Sequence, residues 1–326
     1  MAYFSLIVLN LHIESNPILC KVLNCKDGKG NFVKLILKQD WFECHVLAGD
    51  SVNVVGEFPG KSEYILDNKS DAYLVVLPHI MLTGTNLSDS FSCLRRSVLS
   101  TKLQRFDAQK GSSAMLQGTI IHEIFQQTLV DGKFNLNEKL QKLIKSYLPD
   151  ILATTDSEDQ IEKSIQNSFT NIMKWFKEQR SSFEVVDIED CIRSNIYGLK
   201  GKIDATFSVK SDNSVIVPFE LKTGKRTGNT SHRAQTTIYS ILLSEKYNRT
   251  INYGLLYYLF SNEQIKVPSL KNETRGILLK RNEFVRFLSK KNEEFILPSM
   301  IDNEFICSRC FQVDNCYKFQ KVPYQL

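Results

Sequence analysis

The chain has 326 residues, 42% of them hydrophobic and 24% charged, with a formal net charge of +5. That balance fits a folded chain with room for one large or two modest domains, and no low-complexity tract or internal repeat interrupts it. No run approaches the roughly 20 apolar residues of a membrane-spanning helix, which gives no sign of a membrane partner, and the mildly basic charge permits a nucleic-acid partner without pointing to one.

In chain order, the apolar stretch Ala2 to Ile13 lacks a basic leader and a small-residue cleavage site, so it reads as a first β-strand. Short strands follow, separated by turns at Lys26-Asp27-Gly28-Lys29-Gly30 and Phe58-Pro59-Gly60-Lys61-Ser62. They predict a small barrel of the oligonucleotide-binding kind over residues 1–80. The run Gly56 to Ser62 falls one residue short of a phosphate-binding G-x4-G-K-[ST] loop and sits between strands, so it reads as a β-turn. No ATP turnover is expected from these residues. From 81 to 326 the pattern predicts helices near 117–130, 136–147 and 158–179. A mixed sheet is predicted over about 184–221, then a helix at 231–247 and a strand at Tyr253–Phe260. Arg275–Lys291 carries apolar residues at helical spacing and reads as an amphipathic core helix.

The chemistry concentrates in the mixed sheet. Asp204 lies in a strand-like stretch from Ile203 to Val209, and Glu220 and Lys222 close a second one after the turn Lys210-Ser211-Asp212-Asn213-Ser214. That is a β-hairpin signature. Side chains alternate faces along a strand, so Glu220 and Lys222 share a face and Leu221 points away. A carboxylate from each strand can then converge on one hard divalent cation, with a lysine beside them. Such an ion activates water and stabilises the oxygens of an in-line phosphoryl displacement. In the next helix Ala234, Ile238 and Leu242 form an apolar stripe, and Gln235 and Tyr239, four apart, stack on an adjacent face. His122 opens an earlier helix among apolar neighbours, from where it can turn toward the carboxylates. Singly, an E-x-K pair, a helical His, or Gln and Tyr at i, i+4 are ordinary surface or core features; their joint order is not.

Eight cysteines are present, and Cys307, Cys310 and Cys316 form C-x2-C-x5-C. Tight thiolate spacing suits Zn²⁺ or an iron–sulfur cluster. No fourth thiolate is near in sequence. Cys93 lies far upstream, either joining the other three or serving as a small buried hydrophobe. Cys20, Cys25, Cys44 and Cys191 show no ligand spacing and read as structural. Nothing indicates secretion, which favours a reducing compartment and free thiolates.

Taken together, His122, Asp204, Glu220-x-Lys222 and Gln235-x3-Tyr239 resemble the PD-(D/E)xK nuclease superfamily in its RecB-like branch. With Cys93 upstream and the three C-terminal cysteines, the plan is similar to the iron–sulfur nucleases. These include the eukaryotic DNA replication helicase/nucleases, exonuclease V and the CRISPR adaptation nucleases. The stretches Leu37–Glu43, Leu47–Phe58 and Leu77–Thr85 resemble the barrel and linker of the first group. Tyr197–Asp204, Glu220–Lys225 and His232–Gln235 also resemble it, so the likeness runs through nearly the whole chain.

That resemblance implies an α+β or α/β fold: a restriction-endonuclease-like mixed sheet flanked by helices, preceded by an OB-like barrel. It implies Mg²⁺ or Mn²⁺ held by His122, Asp204, Glu220 and the carbonyl of Leu221. Lys222 would place the attacking water, with Gln235 and Tyr239 accessory. Cys93, Cys307, Cys310 and Cys316 would ligate a [4Fe–4S] cluster. The implied substrates are single-stranded DNA or 5′ flaps, in Okazaki fragment processing and end resection. Implied partners are a single-strand-binding protein and a helicase elsewhere in the gene or in another chain, in the nucleus and also in mitochondria. Arg95, Arg96, Lys202 and Lys225 cluster near the motifs as candidate DNA contacts. The competing readings are an exonuclease V-type enzyme, a catalytically silent DNA-binding scaffold, and a zinc-binding module.

Overall fold

The structure, a computed structural model, describes residues 2–15, 17–56, 62–103, 113–132, 136–224, 230–289 and 296–321. Its N-terminal part is six strands: β1 (Tyr3–Glu14), β2 (Cys20–Asp27), β3 (Phe32–Lys38), β4 (Ser51–Val55), β5 (Glu63–Leu66) and β6 (Tyr73–Val76). They form one sheet in the order β5-β3-β2-β1-β4-β6, mostly antiparallel, with β3 and β5 parallel. The long β1 pairs with β2 and β4 and bulges between Val8 and Asn10. Alternation buries Leu6, Val8, Leu23, Leu35, Val52 and Val54 around Trp41. Most of the run from Gly56 to Ser62 lies outside the described residues, Lys61 included.

Next come β7 (Leu82–Thr83), α1 (Gly84–Asp89), α2 (Leu94–Leu103), α3 (Ser113–Asp131), α4 (Leu136–Ser146), α5 (Leu148–Leu152) and α6 (Glu158–Gln179). Three long strands follow, β8 (Phe183–Ser194), β9 (Leu199–Val209) and β10 (Asp212–Lys222), then α7 (Thr230–Tyr247). The chain finishes with β11 (Tyr253–Tyr258), β12 (Glu263–Pro268), α8 (Lys271–Ser289), α9 (Glu304–Cys307) and α10 (Val313–Lys321). The second sheet is mixed, in the order β12-β11-β10-β9-β7, with β8 also on β9. β9 and β10 form the expected antiparallel hairpin, and α7 is the crossover that lets β11 run parallel to β10. The expected helices at 117–130, 158–179, 231–247 and 275–291 are α3, α6, α7 and α8.

β10 is buried from Ile216 to Leu221. Phe219 stacks on Phe125 of α3, with ring centroids 5.2 Å apart, and lies 4.9 Å from Trp175 of α6. This aromatic layer fixes β10 against the helices, and the period of two then turns Glu220 and Lys222 toward α7. Truncating such a buried aromatic costs about 3–5 kcal/mol.

The N-terminal sheet shares one continuous core with α1, α2, α7 and α8, while α3, α4, α5, α6 and the other face of the second sheet pack around a second one. Arg281 of α8 is fully buried, and its guanidinium donates to the carbonyls of Val76, Leu77 and Ile80. Beside it Asn282 accepts from the Val76 amide at 2.9 Å and donates to the Leu74 carbonyl at 2.8 Å. Gly198, at φ +59°, makes room for this arginine; a Cβ there would land on the guanidinium and 2.7 Å from the Pro78 carbonyl oxygen.

Candidate active site and cysteine pocket

The pairing of Phe219 with Ala205 brings Glu220 level with Asp204 across the hairpin. Asp204 Oδ2 accepts from the Leu221 amide at 2.7 Å, and Oδ1 lies 3.2 Å from His122 Nδ1. Lys222 Nζ donates to Glu220 Oε1 at 2.7 Å and to Gln235 Oε1 at 2.8 Å. Gln235 Nε2 in turn donates to the Tyr239 hydroxyl at 2.8 Å. The residues singled out in sequence from α3, β9, β10 and α7 thus meet in one hydrogen-bonded group. The Leu221 side chain is buried in the core, and its amide steadies Asp204.

Electrostatics sets this group apart. Asp204 and Glu220 are only 9% and 4% exposed. Burial, then repulsion from Asp204, pushes the Glu220 carboxyl up to about 7 against the pull of Lys222. Glu220 Oε2 is buried and has no hydrogen-bond partner. Burial works to lower the His122 pKa, but the bond to Asp204 and the charges of Asp204 and Glu220 outweigh it and hold it above its ordinary value. Burial pushes the Tyr239 hydroxyl well up, so it stays neutral. Two buried carboxyls with one orphaned oxygen are costly unless a cation joins them. Oxygen donors with an imidazole fit a hard divalent ion.

Tyr239 is held by close backbone approach. A Cβ at Gly201 of β9 would stand 2.8 Å from its ring, and one at Gly84 of α1 would stand 3.0 Å away. Both glycines therefore position the last member of the relay.

The four cysteines Cys93, Cys307, Cys310 and Cys316 line one cavity, walled by Met300, Ile301, Ile306 and Val313. The turn Cys307–Cys310, closed by a 3.1 Å bond from the Cys310 amide to the Cys307 carbonyl, presents two of them. Cys316 comes from α10, and Cys93 immediately precedes α2. Cys93 Sγ accepts from the Arg96 amide at 3.4 Å. Burial pushes the Cys310 thiol up. Four sulfurs in an apolar pocket with N–H donors fit a thiophilic metal or an iron–sulfur centre. As the side chains lie, no three His, Cys, Asp or Glu among the described residues are close enough to enclose an ion. Hydrogen bonds hold them instead: Asp204 to His122, Glu220 to Lys222, Cys316 to Arg95.

The candidate DNA contacts fare differently. Arg95 is 4% exposed and spends its donors on Cys316 and the Pro298 carbonyl, so the expectation that it touches DNA is corrected: it faces inward. Arg96 is half-buried beside the cysteine pocket. The Lys202 side chain is 63% exposed and pairs with Glu189. Lys225 lies outside the described residues. Of the remaining thiols, Cys20, Cys25 and Cys44 are buried, whereas Cys191 is exposed and has no structural burial to serve. Two neighbours of the site were given no role of their own from the sequence. His232 packs against Tyr258, its Nδ1 3.1 Å from the hydroxyl, and burial with the Lys222 charge pushes it down to about 4. Glu189, at φ +57° in β8, bridges Gln126 of α3 and Lys202. In sequence it is one of four acidic residues in β8, with nothing to single it out. A groove of Thr83, Thr85, Arg193, Lys200 and Lys202 runs up to Tyr239.

Residues 26–183 and 179–209 match the family described as DNA replication factor Dna2. The chain is 33% identical over 96% of its length to the DNA replication ATP-dependent helicase/nuclease dna2 of Schizosaccharomyces pombe. It is 31% identical over 88% to JHS1 of Arabidopsis thaliana and 30% identical over 93% to the human DNA2 protein, both also named DNA replication ATP-dependent helicase/nucleases. It spans 22%, 24% and 32% of those three proteins. On that match across more than half of its residues, the chain belongs to the DNA replication factor Dna2 family.

Proposed function

We propose that this chain is the nuclease part of its family: a Mg²⁺- or Mn²⁺-dependent hydrolase of phosphodiesters in single-stranded DNA or flaps, working in nuclear DNA replication and repair. The reading takes the second sheet as a restriction-endonuclease-like core and the first as an OB-like fold. The observation that carries it is the buried Glu220–Asp204 pair with an orphaned oxygen on Glu220.

Asp204, Glu220, His122 and the Leu221 carbonyl would hold a divalent ion, which would supply Lewis acidity and charge neutralisation. The chain's own residues do the rest. Asp204 is fixed by the Leu221 amide and His122, so its oxygens are oriented before substrate arrives. Lys222, gripped by Glu220 and Gln235, holds a cation where negative charge builds on the phosphate and orients the attacking water. Gln235 and Tyr239 keep that lysine from swinging out. In this reading Cys93, Cys307, Cys310 and Cys316 hold a structural [4Fe–4S] cluster, and a single-strand-binding protein and a helicase are the partners.

Metal binding tests the reading without a substrate. Mn²⁺ at about a hundredfold over its Kd should raise the unfolding free energy by about 2.7 kcal/mol in the wild-type chain. It should raise it little in an Asp204→Asn/Glu220→Gln variant. An equal rise in both proteins would remove these carboxylates from the ligand set.

Gly201→Ala tests the relay. The added methyl overpacks Tyr239 at a cost of about 1–3 kcal/mol. It should lower the single-turnover cleavage rate while leaving DNA affinity near wild type. A variant as stable and as fast as wild type would take Tyr239 out of the relay.

A further inference from the structure

Among the described candidate DNA contacts Arg95 is the one that the fold turns inward, and its surroundings are unusual for a buried cation. Among the described residues no carboxylate pairs with it. Its Nη1 donates to the Pro298 carbonyl at 2.8 Å and its Nη2 to the Cys316 carbonyl at 3.2 Å. Its Nε lies 3.1 Å from Cys316 Sγ. Arg281 is a useful contrast. That buried guanidinium is also served by carbonyls, but its Nε has no partner and it stays a tether between α8 and the N-terminal sheet. In Arg95 all three nitrogens are engaged, and one of them on sulfur.

We infer that Arg95 is the counter-charge of an anionic tetrathiolate centre formed by Cys93, Cys307, Cys310 and Cys316. The inference rests on the proposed loading of that pocket. Carbonyls partly compensate both buried arginines, but of the two only Arg95 also sets a donor on sulfur. A neutral thiol is a weak acceptor for that donor, and a thiolate is a strong one. Four thiolates around a dicationic metal core carry a formal net charge of about −2, whether the core is an iron–sulfur cube or Zn²⁺. The guanidinium sits directly on one of those sulfurs. An N–H···S bond withdraws electron density from the thiolate, which favours the more reduced, more negative state of a redox-active centre and slows protonation and loss of the ligand. Arg95 is therefore a positioning residue that joins α2 to α10 through charge as well as shape.

The inference has a sign that a plain tether lacks. Arg95→Leu keeps much of the bulk and removes the charge. In the metal-free protein it should leave thermal stability unchanged or raise it, because an only partly compensated buried charge is gone. In the metal-loaded protein it should lower stability and speed metal loss to a chelator by about tenfold or more. Its centre, if iron–sulfur, should titrate at a more negative potential. Arg95→Lys, which keeps the charge but not the three-pronged geometry, should fall between wild type and Arg95→Leu in chelator resistance. Equal destabilisation of the loaded and metal-free proteins, with potential and metal retention unchanged, would reduce Arg95 to a tether and overturn the inference. Failure of the underlying loading would look different. Anaerobically prepared wild-type protein would itself contain neither iron nor zinc, and the counter-charge role would fall with it.

Discussion

Asp204→Ala is expected to lower single-turnover cleavage of single-stranded DNA by about 10³-fold or more, with DNA affinity little changed. The expectation follows from position. Asp204 is locked between the Leu221 amide and His122, with Glu220 beside it. Its removal deletes the oxygens that would share a metal with Glu220, while the exposed basic side chains proposed to meet DNA are untouched. Lys222→Ala should lose a factor of about 10²–10³ in rate, because in the proposed mechanism it acts where charge develops. Glu220→Gln separates function from stability. The Glu220 carboxyl is held up at about 7 in the folded chain against an ordinary value of 4.5. A raised carboxyl pKa means that the folded state binds the proton more tightly than the unfolded state. Its stabilising contribution is thus present at low pH and is lost as pH rises through 4.5 to about 7. Above that range the metal-free Glu220→Gln protein should melt higher than wild type, yet cleave no DNA. A variant that melts lower throughout would show that the carboxylate is satisfied in the fold without a metal.

Cys307→Ser should have the largest effect on stability. Cys93 and Cys307 are more than two hundred residues apart in sequence, yet they line one cavity. Crosslinking a loop that long removes roughly 5 kcal/mol of unfolded-chain entropy in the loop-closure picture. Metal binding at such a site is folding free energy. The variant should lose bound metal, melt markedly lower, and lose DNA binding and cleavage together, since α1 and α2 link the pocket to α7. Cys93→Ser should do the same. Full metal content in Cys93→Ser, with Cys307→Ser emptied, would return Cys93 to the role of a small buried hydrophobe.

Local patterns in the sequence predicted much of this arrangement. The period of two in Phe219-Glu220-Leu221-Lys222 places Glu220 and Lys222 on one face, and the short turn before it makes the hairpin that brings Asp204 level. Four-residue spacing on α7 gives the Gln235–Tyr239 contact. These are short-range consequences of strand and helix geometry. Convergence from a distance was not legible in the same way. Nothing in the spacing of Cys93 says that it shares a cavity with Cys310; only resemblance suggested it. Arg95 misled for the same reason. A charged residue next to another at Arg96 looks like surface, and only the packing of α10 against α2 shows that it is buried. The glycines that seat Tyr239 and Arg281 are invisible without the opposing side chain. So is Glu189, whose backbone is left-handed, at φ +57°, within β8. Residues 225–229, with Lys225 among them, lie outside the described structure.

The most direct test is the metal dependence of DNA cleavage by this chain. End-labelled single-stranded DNA is incubated with excess protein in EDTA, and Mg²⁺ or Mn²⁺ is then added. The carboxylate site predicts no cleavage in EDTA, cleavage on metal addition, and none at any metal concentration in Asp204→Ala. Cleavage that persists in EDTA, or that Asp204→Ala retains at the wild-type rate, would contradict it.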